Sequence, residues 1–136
     1  SLVVNTCKRC YSMIKTDNGD YIMSDFDIVS SIDWHDGVLL EVKTTFKESH
    51  FNMTLFIDIY KSENIREKMI VEFSDVDDLV FAMDSAELID NHKSGNISNG
   101  YIKKLKNKRI YKFFLYFSDG LLSMTFKNLQ LIKPLE

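Results

Sequence analysis

Four of the five glycines in this chain directly follow Asn or Asp: Asn18-Gly19, Asp36-Gly37, Asn99-Gly100 and Asp119-Gly120. Asn and Asp tolerate positive φ better than most residues and Gly tolerates it best, so such pairs suit the tight two-residue reversals that join antiparallel strands. The single proline, Pro134, lies near the end, so no other position lacks the backbone N–H that a ladder needs. A chain punctuated in this way is expected to fold as short strands turned back on one another.

The segments between the turns have the period of strands. Leu40, Val42, Thr44 and Phe46 alternate with Glu41, Lys43 and Thr45. After a polar break, Met53, Leu55, Ile57 and Ile59 alternate with Thr54, Phe56, Asp58 and Tyr60, and Met69, Val71 and Phe73 repeat the pattern, as do Leu79, Phe81 and Met83. Period-2 alternation places one face of a strand on a core. The clearest hairpin joins residues 109–117 to residues 121–127 around Ser118-Asp119-Gly120. Its first arm is apolar on both faces, which predicts a central place in a sheet, and its second arm turns Leu122, Met124 and Phe126 inward. The expected core is Leu40, Val42, Leu55, Ile57, Val71, Phe73, Phe81, Phe114, Met124 and Phe126.

Helix is scarce. Residues 24–33 fit a short one, with Ser24 as N-cap, Asp27 three residues on, and Phe26, Val29 and Ile32 on one face. Residues 85–91 fit one or two further turns. The expected fold is mostly β, an antiparallel sheet or sandwich with at most one or two short helices, α+β being the nearest variant. At 136 residues it is read as a single domain spanning 1–136.

Several functional classes are set aside at this point. No apolar run approaches the roughly 20 residues of a membrane-spanning helix. Residues 2–4 are too short for the apolar stretch of a signal peptide, and two cysteines make no disulfide framework, so a cytoplasmic location is expected. A formal charge of −3 argues against nucleic acid as a partner. Cys7 and Cys10 lack the second ligand pair of a zinc site, and His35, His50 and His92 are scattered, so neither a metal nor any other cofactor is expected.

Two motifs carry candidate chemistry. In Trp34-His35-Asp36-Gly37, a ligand-binding reading makes Trp34 a platform and His35 an acid/base. Neighbours in an extended segment point apart, however, which leaves His35 and Asp36 poorly placed to bond one another. The simpler reading makes Asp36-Gly37 a turn and buries Trp34. The polar run 90–100, which holds His92, offers oxygen ligands but only one carboxylate, Asp90, and reads as a surface loop ending in a hairpin turn at Asn99-Gly100.

Charge is segregated along the chain. Seven acids and no Lys or Arg lie between Asp17 and Glu41, and seven more between Glu72 and Asp90. From Asn91 to Ser118 the sign reverses, with seven bases and no acid. Side-by-side strands of opposite sign would neutralise one another; surface fields of opposite sign would steer a charged partner.

From Trp34 to about Phe126, the opening Trp-His-Asp-Gly, the alternating strands, the Asp-Asn…Gly-Asn-Ile…Asn-Gly-Tyr loop and the closing strand–Asp-Gly–strand hairpin resemble small bacterial immunity-type proteins of polymorphic-toxin and contact-dependent inhibition systems. The resemblance implies a cytoplasmic, non-enzymatic binding protein that neutralises a cognate toxin domain by direct contact, with a basic nuclease as the partner an acidic patch would suit. Asp75, Asp77, Asp78 and Asp84 are the acids expected to make that contact. The alternative is a small ligand-binding or hydrolytic β domain that uses Trp34, His35 and His92.

Overall fold

A computed structural model describes residues 3–5, 12–15, 17–19, 21–91, 95–106 and 109–132. It divides the chain into two compact units, Ser1–Ile32 and Asp33–Glu136. In the first, β1 (Val3–Asn5), β2 (Ser12–Lys15) and β3 (Tyr21–Met23) form an antiparallel sheet in that order, followed by helix α1 (Asp25–Ser30). Ser24 caps α1 as its sequence predicts, accepting from the Asp27 N–H and donating its hydroxyl to the Asp27 carboxylate.

The second unit contains, in chain order, β4 (Val38–Lys47), β5 (His50–Ser62), β6 (Ile65–Ser74), β7 (Asp77–Met83), α2 (Ser85–Asp90), β8 (Ile97–Lys104), β9 (Tyr111–Phe117), β10 (Gly120–Phe126) and β11 (Asn128–Ile132). They make two antiparallel four-stranded sheets, ordered β11-β6-β5-β4 and β7-β10-β9-β8. The fold is mostly β with two short helices among the described residues, as the turn chemistry and alternation predict. The 109–127 hairpin forms, with Gly120 opposite Phe117 as the first residue of β10 rather than in the turn, and β9 lies inside its sheet.

The core lies between the two sheets. Met53, Leu55, Ile57 and Ile59 of β5 and Val71 and Phe73 of β6 are buried. So are Phe113, Leu115 and Phe117 of β9, and Leu122, Met124 and Phe126 of β10. The Phe73 ring stacks on Phe113 at 5.0 Å and meets Phe126 edge-on at 4.9 Å, which ties the sheets together.

The sheets are also joined by chain that passes from one to the other. β6 runs into β7 through Asp75 and Val76, and β10 runs into β11 through Lys127, whose N–H donates to the Ser74 carbonyl. Strands that change sheets need a sharp local bend. Here Asp75 and Asp78 supply it with φ of 56° and 48°. Asp occupies this left-handed region more readily than most residues, because its short polar side chain bonds the local backbone. The Asp78 N–H bonds the Asp77 carboxylate at 2.8 Å, and the Asp75 N–H bonds Asn52 at 3.3 Å.

Four expected core residues lie elsewhere. Leu40 is 50% exposed and Phe81 38% exposed, while Val42 and Phe114 are half-buried. In β9 the inward set is 113, 115 and 117, so Phe114 faces the outer side. Leu40 sits at a register shift between Leu39 and Glu41, a bulge that re-aims its side chain. Asn99-Gly100 is not a turn but part of β8. Gly100 is required there because a Cβ would stand 2.8 Å from Cγ of Trp34.

Candidate functional site

Each residue singled out in the sequence can now be placed. Trp34 is 2% exposed, and its ring packs on Phe113 at 5.5 Å as well as on Gly100. It is a core ring. The Gly37 N–H closes a turn on the Trp34 carbonyl, with Asp36 at φ 61°. That turn corrects one expectation: the backbone is not extended, so Nδ1 of His35 comes within 3.1 Å of the Asp36 carboxylate. The pair is exposed on the surface. His92, Cys7 and Cys10 lie outside the described residues.

The polar run has a structural member. Asn96 is 2% exposed, accepts from the Leu39 N–H at 2.9 Å and donates to the Leu88 carbonyl at 3.2 Å. It thereby anchors α2 against the start of β4, as a buried amide must be satisfied.

The four acids expected to contact a partner fall into two places. Asp75, Asp77 and Asp78 line a cleft of about 710 Å³ at the corner between the sheets, together with His50, Thr125 and Lys127. The Asp75 carboxylate hydrogen-bonds Nδ1 of His50, whereas Asp77 and Asp78 are exposed. Asp84 stands at the other end of β7, roughly 20 Å along a seven-residue strand. There it caps α2, accepting from the N–H groups of Ala86 and Glu87 at 3.0 and 3.2 Å. The His50–Asp75 pair joins residues 25 apart in sequence, and no local pattern announces it.

Beside Asp84 lies a feature that alternation alone did not disclose. β4 and β7 are edge strands of the two sheets, and between them and α2 runs an apolar groove. Leu39, Leu40, Phe81, Met83, Leu88 and Ile89 line it, with a volume of about 430 Å³ at the α2 end. Leu40, Met83 and Ile89 are each at least half exposed. Contiguous apolar surface with a polar margin marks interaction sites on folded proteins. Glu41 lines the groove, and Asp84, Glu87 and Asp90 belong to the cap and body of α2, the helix that supplies Leu88 and Ile89 to it. The signal in the sequence was the run Val38-Leu39-Leu40, three apolar residues that break the alternation and mark the bulge.

Among the described residues, no group of three or more His, Cys, Asp and Glu side chains could hold a metal ion, and no helix is long and apolar enough to cross a membrane. Compared with known proteins, the chain matches no family model and is significantly similar to no curated sequence and no solved structure.

Proposed function

We propose that this is a non-enzymatic binding protein that neutralises a toxin domain in the cytoplasm by occupying its surface. The observation that carries the reading is the exposure of Leu40 and Phe81, patterned as core residues, in an apolar groove with an acidic margin. The occupant that fits is an amphipathic segment of a partner, with an apolar ridge for the groove and Lys or Arg beside it for Asp84, Glu87 and Asp90. An apolar centre with a polar rim is the anatomy of protein interfaces. The charge block from Glu72 to Asp90, which holds no base, supplies long-range attraction, and a nuclease toxin with a basic substrate groove suits it. Asp77 and Asp78, exposed at the far end of β7, extend the acidic field along the same strand.

The test is co-expression with the toxin encoded beside its gene, then pull-down of the purified pair at low and high salt. A complex is expected that forms faster at low salt and is lost in a Leu40→Asp Phe81→Asp double variant. Failure to form a complex, or a complex indifferent to both changes, overturns the reading.

One observation favours a second reading, a ligand-binding or hydrolytic domain. The 710 Å³ corner cleft holds His50 hydrogen-bonded to Asp75, the arrangement that orients an imidazole as a general base. Substrate turnover that a His50→Ala variant lacks would establish it in place of the first.

A further inference from the structure

The outer face of the β7-β10-β9-β8 sheet carries a second surface, of opposite sign. Cross-strand register sets Tyr101 of β8 opposite Phe114 of β9, and Lys103 opposite Lys112. Period-2 alternation then places Tyr101, Lys103, Lys112, Phe114 and Tyr116 on one face. Their rings are contiguous. Tyr101 stacks on Phe114 at 4.9 Å, Phe114 and Tyr116 are parallel within 3° at 6.2 Å, and Tyr101 lies 6.3 Å from Tyr116. A hydrogen bond with Tyr101 pushes the Tyr116 phenol above its ordinary range. The Lys112 ammonium lies over the Phe114 ring at 5.3 Å.

One pair in this arrangement works against the fold. Like charges directly opposite across a strand pair repel, yet Lys103 and Lys112 are so placed. Among the described residues no carboxylate comes within ion-pair distance of either. Lys104 and Lys106, both exposed, continue the positive charge beyond Lys103, and the sequence holds no acid between Asn91 and Ser118. Lys112 finds the Phe114 ring, but no described carboxylate offsets the charge of either lysine, and an unneutralised like-charge pair suits an anionic partner outside the fold.

We infer that this face binds single-stranded nucleic acid, with bases extending the Tyr101–Phe114–Tyr116 stack and phosphates meeting Lys103 and Lys112. Aromatic rings beside a track of lysines are what sequence-tolerant single-strand binding needs, since every base has a face to stack and every nucleotide a phosphate to neutralise. A duplex keeps its bases paired and stacked, out of reach of the rings. The net charge of −3 does not oppose this, because the acids are concentrated in other segments. The inference is independent of the groove between β4 and β7.

The experiment is fluorescence anisotropy of a short labelled oligodeoxythymidylate titrated with the full chain at several salt concentrations. Binding at low salt is expected, tighter than to a duplex of equal length, and weakened about ten-fold by Tyr101→Ala. Lys103→Glu should weaken it further and flatten the dependence of log K on log salt by about 0.7, the contribution of one phosphate contact. Lys103→Glu relieves a repulsion, so loss of binding by a variant that melts no earlier than the parent cannot be ascribed to unfolding. Three outcomes overturn the inference: no binding at low salt, equal affinity for duplex and single strand, or affinity unmoved by Lys103→Glu. Displacement of the oligonucleotide by polyglutamate at matched charge overturns it too, and reassigns the face to an acidic protein.

Discussion

β4 and β5 are neighbours in one sheet and carry the same alternation, yet their side chains meet different fates. Met53, Leu55, Ile57 and Ile59 of β5 are at most 4% exposed. Across the ladder, Val42 pairs with Leu55 and Phe46 with Phe51, but Val42 is only half-buried and Phe46 is 82% exposed. Alternation decides which side of a sheet a residue takes. Whether that side is covered depends on the layer above it, and a strand at the edge of its sheet has less of that layer than one inside. The same contrast separates β10, whose Leu122, Met124 and Phe126 are fully buried, from its edge neighbour β7, whose Phe81 and Met83 are not. Covered strands hold the fold together. Uncovered ones leave apolar surface for something else.

The largest expected effect tests that division directly. Phe126→Ala should cost about 3–5 kcal/mol in urea unfolding, because Phe126 is fully buried against Phe73 and Tyr111 and its removal leaves a cavity. Phe46→Ala, at a site with the same residue type and the same period, should cost less than about 1 kcal/mol, its ring touching Phe51 alone among the described rings. Equal losses at the two sites would show that β4 is covered in the folded protein.

Gly100→Ala comes next. The added methyl would stand 2.8 Å from Cγ of Trp34 and 3.0 Å from Cδ1 of Leu115, closer than real contacts allow. The indole or the β8 backbone must move, at about 1–3 kcal/mol, the usual cost of overpacking. Because the φ at Gly100 is not positive, backbone strain adds nothing, and a neutral result would mean that Trp34 is loosely held.

The outcome at Gly100 also shows where sequence was legible and where it was not. The hairpin around Asp119-Gly120, the Ser24 cap of α1 and six of ten expected core residues follow from local chemistry and period, and those rules act over a few residues. Asn99-Gly100 reads as a turn because that pair suits one. What decides its fate is Trp34, a residue 66 positions away that lies on it, and no local rule reports such a contact. The acids divide in the same way. Asp84 as an N-cap is local, but the role of Asp75 and Asp78 as the bend between sheets depends on the pairing of β10 with β7 and of β11 with β6. Net charge has the same limit: a sum over the chain carries no record of which strand its lysines stand on.

A smaller effect separates two roles of one residue. Asp84→Ala should cost about 1 kcal/mol of stability through loss of the α2 cap, and it also removes a charge from the margin of the groove. Asp84→Asn keeps a good capping side chain and removes only the charge. If the groove takes a basic partner, both variants should slow association to the same degree while only Asp84→Ala lowers the melting temperature. Slowing confined to Asp84→Ala would assign the residue to folding alone.

The smallest expected effect has the unusual sign, and therefore discriminates best. Lys103 and Lys112 face one another across β8 and β9, so one of them is worse for the fold than a neutral or acidic residue would be. Lys103→Glu replaces the repulsion with an attraction between exposed groups on adjacent strands. Cross-strand charge pairs are worth roughly 0.2–1 kcal/mol, and salt screens exposed ones. The variant should thus gain at most about 1 kcal/mol in urea unfolding at low salt, and the gain should shrink at high salt. Lys103→Gln, which removes the repulsion without adding the attraction, should fall between the two. A destabilised Lys103→Glu would mean that the ammonium makes contacts within the fold beyond its opposition to Lys112. A stabilised one would mean that the wild-type chain holds two lysines together at the expense of its own stability, which only an anionic partner would reward.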